Sequence, residues 1–160
     1  MSVNGGKVYI AIPSMLFCFL IVWPFVAQTT VVYNKNKAVM KKTVIVGASD
    51  NPARYAQIAL QMLKEYDHPT VPIGIHGGEY RGQRILDMKN KPDIGEVDTV
   101  TLYLSPKNQK EWYEYLLSLN PKRIIFNPGT ENQELIDMAK EQNIEPVIGC
   151  TLVMLRTGQY

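Results

Sequence analysis

The sequence predicts an α/β fold: a doubly wound, mainly parallel sheet of about five strands flanked by helices. Three observations carry it. Short β-branched runs such as TVIV (43–46) and RIIF (123–126) recur along the chain, as strands buried on both faces do. Stretches with apolar residues at helical spacing lie between those runs. Turn and capping residues stand at the junctions, and strands alternating with helices imply crossovers and a parallel sheet.

In order, residues 43–46 form the first strand. Residues 53–66 form the first helix, with Ala56, Ala59, Leu60, Leu63 and Tyr66 on one face. Residues 70–76 (TVPIGIH) form a second strand. The stretch GGEYRGQRILDMKNKPDIGE (77–96) is rich in glycine and charge, so a loop with one extended piece at 84–87 is expected there. Residues 98–104, 123–126 and 145–149 supply the remaining strands. The helices between them span 107–119, with Trp112, Tyr115, Leu116 and Leu119 inward, and 131–142, with Leu135, Ile136 and Ala139 inward.

Residues 1–39 follow a different design. No charged residue occurs from Val8 to Asn34, and the apolar segment at 8–27 has about the ~20 residues that span a bilayer. A signal peptide fits less well, because bulky Phe25 stands where cleavage after Ala27 wants a small residue. Either the segment anchors the protein, or translation starts at Met40, and the weak targeting pattern favours the second. The lysines after the segment, Lys35, Lys37, Lys41 and Lys42, put the body on the cytoplasmic side of any anchor. The domain division is therefore 1–39 as an apolar extension and 40–160 as one globular domain.

The chain of 160 residues carries a formal net charge of +2. Residues 1–39 hold lysines and no acid, which leaves the body near neutral and without a basic face for nucleic acid. The two cysteines, Cys18 and Cys150, have no spacing that suggests zinc or a disulfide framework. A reducing, cytoplasmic setting is expected.

In a parallel sheet the strands end at one edge, where ligands collect at the point at which the winding reverses. After the first strand, GASDNPARYA (47–56) offers Gly47 for the turn, Asn51 as N-cap and Pro52 at the first helical position. Ser105 and Pro106 repeat that arrangement. Thr130 and Gln133 make a capping box reached through Asn127, Pro128 and Gly129. Three helix starts at one edge suit phosphate oxygens. Ser49 and Pro52 replace the second and third glycines of GxGxxG, and His76 stands where a dinucleotide enzyme carries an acid, so NAD is disfavoured. Ser49 and Arg54 suit an anion at the first helix start.

Four blocks, GASDNPARYA, PIGIHGGEYRGQ, EVDTVTLYLSPKNQ and FNPGTENQELIDMAKEQNIEPVIGCTLVMLR, resemble the small stand-alone CoA-binding domain proteins, relatives of the CoA-binding domain in the alpha subunit of succinyl-CoA ligase. The likeness runs over 40–156. It implies a Rossmann-like domain that binds coenzyme A or an acyl-CoA, with Gly47, Ala48, Ser49, Asn51 and Arg54 near the nucleotide and Ser105 and Pro106 alongside. Family members often carry Asn-Pro and a basic residue after the second strand, where this chain reads GIHGGEYRG, which leaves His76 or Arg81 to take that contact. Asn127 and Gly129 of the fourth block complete the candidate set.

No pair of groups is spaced for acid–base catalysis. His68, in the turn YDHPT, reads as a surface residue, and Cys150 as a structural thiol. The expected function is therefore binding, as a carrier, sensor or partner module, and no metal is expected. A small nucleotide-bearing molecule is the expected ligand. A second copy or a partner enzyme is the expected macromolecular partner, and a membrane only if 8–27 is an anchor. The rival readings are an NAD(P)-binding oxidoreductase and an interaction module that has lost its nucleotide.

Overall fold

The computed structural model describes residues 40–160. Seven strands form one sheet in the order β3-β4-β2-β1-β5-β6-β7: β1 Thr43–Val46, β2 Thr70–Gly74, β3 Gly78–Tyr80, β4 Gln83–Asp87, β5 Thr99–Leu102, β6 Arg123–Phe126 and β7 Glu145–Ile148. All neighbouring pairs are parallel except β3 with β4. The helices are α1 Tyr55–Glu65, α2 Tyr113–Ser118, α3 Gln133–Glu141 and α4 Thr151–Thr157. The α/β class and the parallel, doubly wound sheet are as the sequence predicts.

The count of about five strands falls short by two. Residues 77–87 fold into the β3–β4 hairpin, turned by Arg81 at φ 49° and Gly82 at φ 76°. This hairpin stands where a helix connects strands elsewhere in the sheet. The predicted helix at 107–119 begins as two 3-10 turns, Pro106–Asn108 and Lys110–Trp112, before α2. The last helix, α4, has no counterpart among the expected elements.

All four residues of β1 are fully buried, because alternate side chains serve opposite layers. Val44 and Val46 pack with Val100, Leu102, Leu116, Phe126 and Leu135 under α2 and α3. Ile45 packs with Ala56, Leu60, Leu63, Ile85 and Leu155 under α1 and α4. Fully burying one such aliphatic side chain contributes roughly 1.5–3 kcal/mol, which explains why the central strands are unbroken apolar runs.

At the outer edge, the N–H groups of Glu145 and Gly149 donate to Lys122 and Phe126 of the β6 segment, at 3.0 and 3.2 Å. The alternation turns Pro146 to the opposite side of β7, the side facing away from β6. That side therefore lacks one donor.

At the edge where the strands begin, His68 is only 9% exposed, against the expectation of a surface residue. Its Nδ1 accepts the Lys41 N–H at 3.0 Å, and its ring lies 4.8 Å from that of Tyr160. Tyr160, 92 positions along the chain from His68, covers it, which local turn chemistry does not reveal. The Tyr160 hydroxyl bonds that of Thr43 at 2.6 Å. Among the described residues no helix is long and apolar enough to cross a membrane. The apolar segment at 8–27 and the division at residue 39 lie outside them.

Candidate ligand crevice at the strand ends

The winding reverses between β1 and β5, and the loops after β1, β2, β5 and β6 enclose a crevice of about 760 Å³ there. That volume is within the usual range for small-molecule sites. The loop after β1 forms its centre. Gly47 takes φ 95°, and a β-carbon on it would stand 2.9 Å from the Tyr103 backbone. The N–H groups of Gly47 and Ala48 both donate to the Ile73 carbonyl, at 2.9 and 3.0 Å. The loop is thus wedged between the ends of β2 and β5, and only glycine fits at its first position.

The expected cap at Asn51 and Pro52 is corrected. Asn51 Oδ1 accepts the Ala53 N–H at 2.9 Å, closing a side-chain turn within the loop, and Pro52 lies in that turn. Helix α1 begins at Tyr55 with Arg54 as its N-cap residue, and no side chain caps it. The Arg54 carbonyl accepts from Gln57 and Ile58, at 2.9 and 3.3 Å. The amides of Tyr55 and Ala56 find no acceptor among the described residues. Both residues line the crevice, with Ser49, Asp50 and Arg54. Two unpaired donors at a helix start, beside a hydroxyl and a guanidinium, are groups of the kind that favour negative oxygen.

His76, two residues past β2, lines the other flank with Gly77. Ser105 lines the crevice from the loop after β5, while Pro106 opens a 3-10 turn and does not face it. Gly129 lines it from the loop after β6, with φ 85°. Of the ten expected residues, Gly47, Ala48, Ser49, Arg54, His76, Ser105 and Gly129 are brought together, whereas Asn51, Pro106 and Asn127 stand outside the lining.

Asn127 has another task. It is 3% exposed, and its Nδ2 donates to Thr101 Oγ1 and to the Leu102 carbonyl, at 2.7 and 2.9 Å. Its Oδ1 accepts the Thr151 N–H at 2.9 Å. The side chain therefore pins β5 and α4 to the end of β6. The expected capping box is also absent: Asn132 caps α3 by accepting from the Leu135 N–H at 3.5 Å, and Gln133 turns to Asp137. Thr130 donates instead to the Asn127 carbonyl at 2.8 Å.

Sequence reasoning missed Gln109 and Tyr103. Gln109 is fully buried, and its Nε2 donates to the carbonyls of Leu104 and Thr130, both at 2.8 Å, tying the loops after β5 and β6 together. A polar residue on the inward side of a helical stretch was the available signal. Tyr103 forms part of the crevice wall, and its buried hydroxyl has no hydrogen-bond partner in the structure. Burial raises its pKa well above the ordinary phenol value, so it stays neutral. Cys150 is a free, half-buried thiol at the N-cap of α4 and is not part of the lining. Among the described residues no cluster of His, Cys, Asp and Glu could hold a metal.

Comparison with solved structures places this arrangement among known folds. An uncharacterized protein of known crystal structure is 53% identical, with a TM-score of 0.72 over 76% of this chain and 98% of that one. A hypothetical protein from Pyrococcus horikoshii OT3 is 24% identical, with a TM-score of 0.65 over 76% of this chain and 84% of that one. The dinucleotide forming acetyl-coenzyme A synthetase 1 of Ca. Korarchaeum cryptofilum, in complex with phosphate and ADP, is 18% identical. It covers 68% of this chain and 25% of its own, with a TM-score of 0.56. The last two likenesses show a shared fold alone. No curated protein matches the chain. Residues 41–156, which contain every element described above except the end of α4, match the family model described as CoA binding domain, and the chain belongs to that family.

Proposed function

We propose that the crevice binds coenzyme A or an acyl-CoA, and that the protein acts as a carrier, sensor or partner module. One observation supports the reading above the others: the unpaired amides of Tyr55 and Ala56 meet Ser49 and Arg54 at the centre of the crevice. A diphosphate fits such a centre, since helix amides and a guanidinium both favour negative oxygen. The apolar walls, Ala56, Ile85 and Leu104 among them, suit the uncharged parts of the ligand. Membership of the CoA binding domain family supports the same ligand. Such a ligand puts the body in the cytoplasm.

Ser49, which lines the crevice, stands where a dinucleotide loop carries its second glycine, so NAD would meet a side chain where its diphosphate needs bare backbone. A thermal-shift panel of the full chain with CoA, acetyl-CoA, NAD, NADP and ATP tests the reading. CoA at 100 times its dissociation constant should stabilise the fold by about 2.7 kcal/mol. An equal or larger effect from NAD would overturn it, and silence from every ligand would favour an interaction module that has lost its nucleotide.

A further inference from the structure

We infer that Gln109 is a positioning residue for the ligand: its side-chain amide, held in one orientation by Asn132, sets the width of the crevice between the loops after β5 and β6 in the free protein. The inference rests on the proposed reading only in taking CoA as the probe.

Leu104 and Ser105 line the crevice from the loop after β5, and Pro128, Gly129 and Thr130 line it from the loop after β6. The pairing of β5 with β6 ends at Leu102 and Phe126, so the strand ladder reaches neither loop. Among the described residues no backbone hydrogen bond joins 103–108 to 128–132. Gln109 makes the connection instead. Its Nε2 has two hydrogens, and it donates to the Leu104 carbonyl and to the Thr130 carbonyl, each at 2.8 Å. One nitrogen therefore holds two lining residues, from separate loops, at a set separation. Gln109 is fully buried and does not itself line the crevice, so water does not replace either bond and its influence on a ligand passes through the loops.

The amide has two ways to fill its place, and only one of them works. Turned over, it would set Oε1 against two carbonyl oxygens. Asn132 selects the working orientation, because its Nδ2 donates to Gln109 Oε1 at 3.0 Å and to the Tyr113 hydroxyl at 2.7 Å. Asn132 is itself oriented by its role as the cap of α3, in which Oδ1 accepts the Leu135 N–H at 3.5 Å. A chain of fixed orientations thus runs from the start of α3 to the crevice wall. A wall held this way needs no ordering when a ligand arrives, and less of the binding free energy is lost.

Two variants of the full chain test it, by calorimetry with CoA and by hydrogen exchange without ligand. Gln109→Glu keeps the shape and the acceptor for Asn132 but sets a carboxylate oxygen against the two carbonyls. At about pH 8 it should bind CoA roughly tenfold or more weakly than wild type, the size expected for lost buried hydrogen bonds. At about pH 5 that ratio should shrink, because burial keeps the introduced carboxyl protonated at higher pH than usual and its proton restores one of the two bonds. Tyr113 and Glu134, joined to this network through Asn132 and to each other at 3.2 Å, are common to both proteins, so the ratio at each pH isolates the introduced group. Asn132→Asp keeps a cap for α3 and removes the donor that orients Gln109. It should weaken CoA by a similar factor while its urea midpoint stays close to that of wild type. In the free protein, the amides of Asn108 and Thr130, each bonded within its own loop, should exchange faster in both variants. Wild-type affinity in the two variants, or a Gln109→Glu ratio that ignores pH, would overturn the inference. Should Gln109→Glu fail to fold, affinity and exchange in Asn132→Asp decide it. If wild type bound no CoA compound, the CoA reading would fall, and the exchange comparison would still decide the role of Gln109, with unchanged exchange overturning it.

Discussion

Gly74, the last residue of β2, passes so close beneath the β1 loop that a β-carbon on it would overlap the carbonyl oxygen of Ala48. The same atom would stand 2.7 Å from the carbonyl oxygen of His76. Both obstacles are backbone, which no side-chain rotation relieves. Gly74→Ala should therefore destabilise the protein by about 1–3 kcal/mol through overpacking, and weaken ligand binding by shifting Ala48 and its loop. Gly78, with open space around it, provides the contrast. Its alanine variant should change stability by no more than about 0.5 kcal/mol. Urea unfolding of both variants checks this, and equal midpoints would contradict it.

Arg54 is the N-cap residue of α1 and is exposed at the crevice, so Arg54→Ala should leave the fold intact. A charge-assisted contact is worth on the order of 1.5–3 kcal/mol, or roughly ten- to a hundredfold in affinity for CoA. Dephospho-CoA identifies the phosphate. If Arg54 holds the ribose phosphate, the substitution weakens CoA much and dephospho-CoA little. If it holds the diphosphate, both weaken alike. Unchanged affinity for both ligands would return Arg54 to solvent.

His68 should make the fold acid-sensitive. Burial first, and then the charges of Lys41 and Arg123, lower its pKa below the usual 6.5. The folded state thus favours neutral imidazole, whose Nδ1 accepts the Lys41 N–H. Its contribution is complete above about pH 6.5 and is lost as pH falls from there through the lowered folded value, because the unfolded chain binds the proton first. Urea midpoints for wild type should drop over that window. His68→Gln should start lower and show a flatter profile, and a parallel profile would refute the assignment.

Asn127→Ala should separate architecture from binding. It leaves the Thr151 N–H without its buried acceptor and removes a donor from the Leu102 carbonyl. Each unpaired buried group costs about 1–3 kcal/mol. Since Asn127 does not line the crevice, the variant that remains folded at low temperature should bind CoA within a few fold of wild type. A large loss of affinity from fully folded protein would show that Asn127 touches the ligand.

The parallel body was legible because its signals are local. Four consecutive β-branched residues in Thr43–Val46 and the inward stripe of α1 need no distant partner to be recognised. The hairpin was hidden because β3 and β4 bury only Tyr80 and Ile85 in full, so glycine and charge dominate the pattern. Helix α4 was hidden because TLVMLRT is apolar on several sides and reads on from the strand before it; only Thr151 and Leu155 are buried. In the crevice, seven of the ten residues expected from the turns after the strands share one lining. Asn51 and Asn127 satisfy backbone nearby, and a sequence does not say whether an asparagine after a strand faces a ligand or, like Asn127, the neighbouring strand. Tyr103 and His68 depend on contacts made far along the chain, which periodicity does not reach.

The proline in β7 bears on how copies of this protein meet. With Pro146 turned outward, a strand from another molecule would find a missing donor in the middle of the ladder it needs, and a row of such additions would stop at its first step. Crowded molecules are thereby kept from zipping edge to edge into fibres. Any stable pairing of two copies through this flank would have to rest on side chains such as Ile148, exposed on β7.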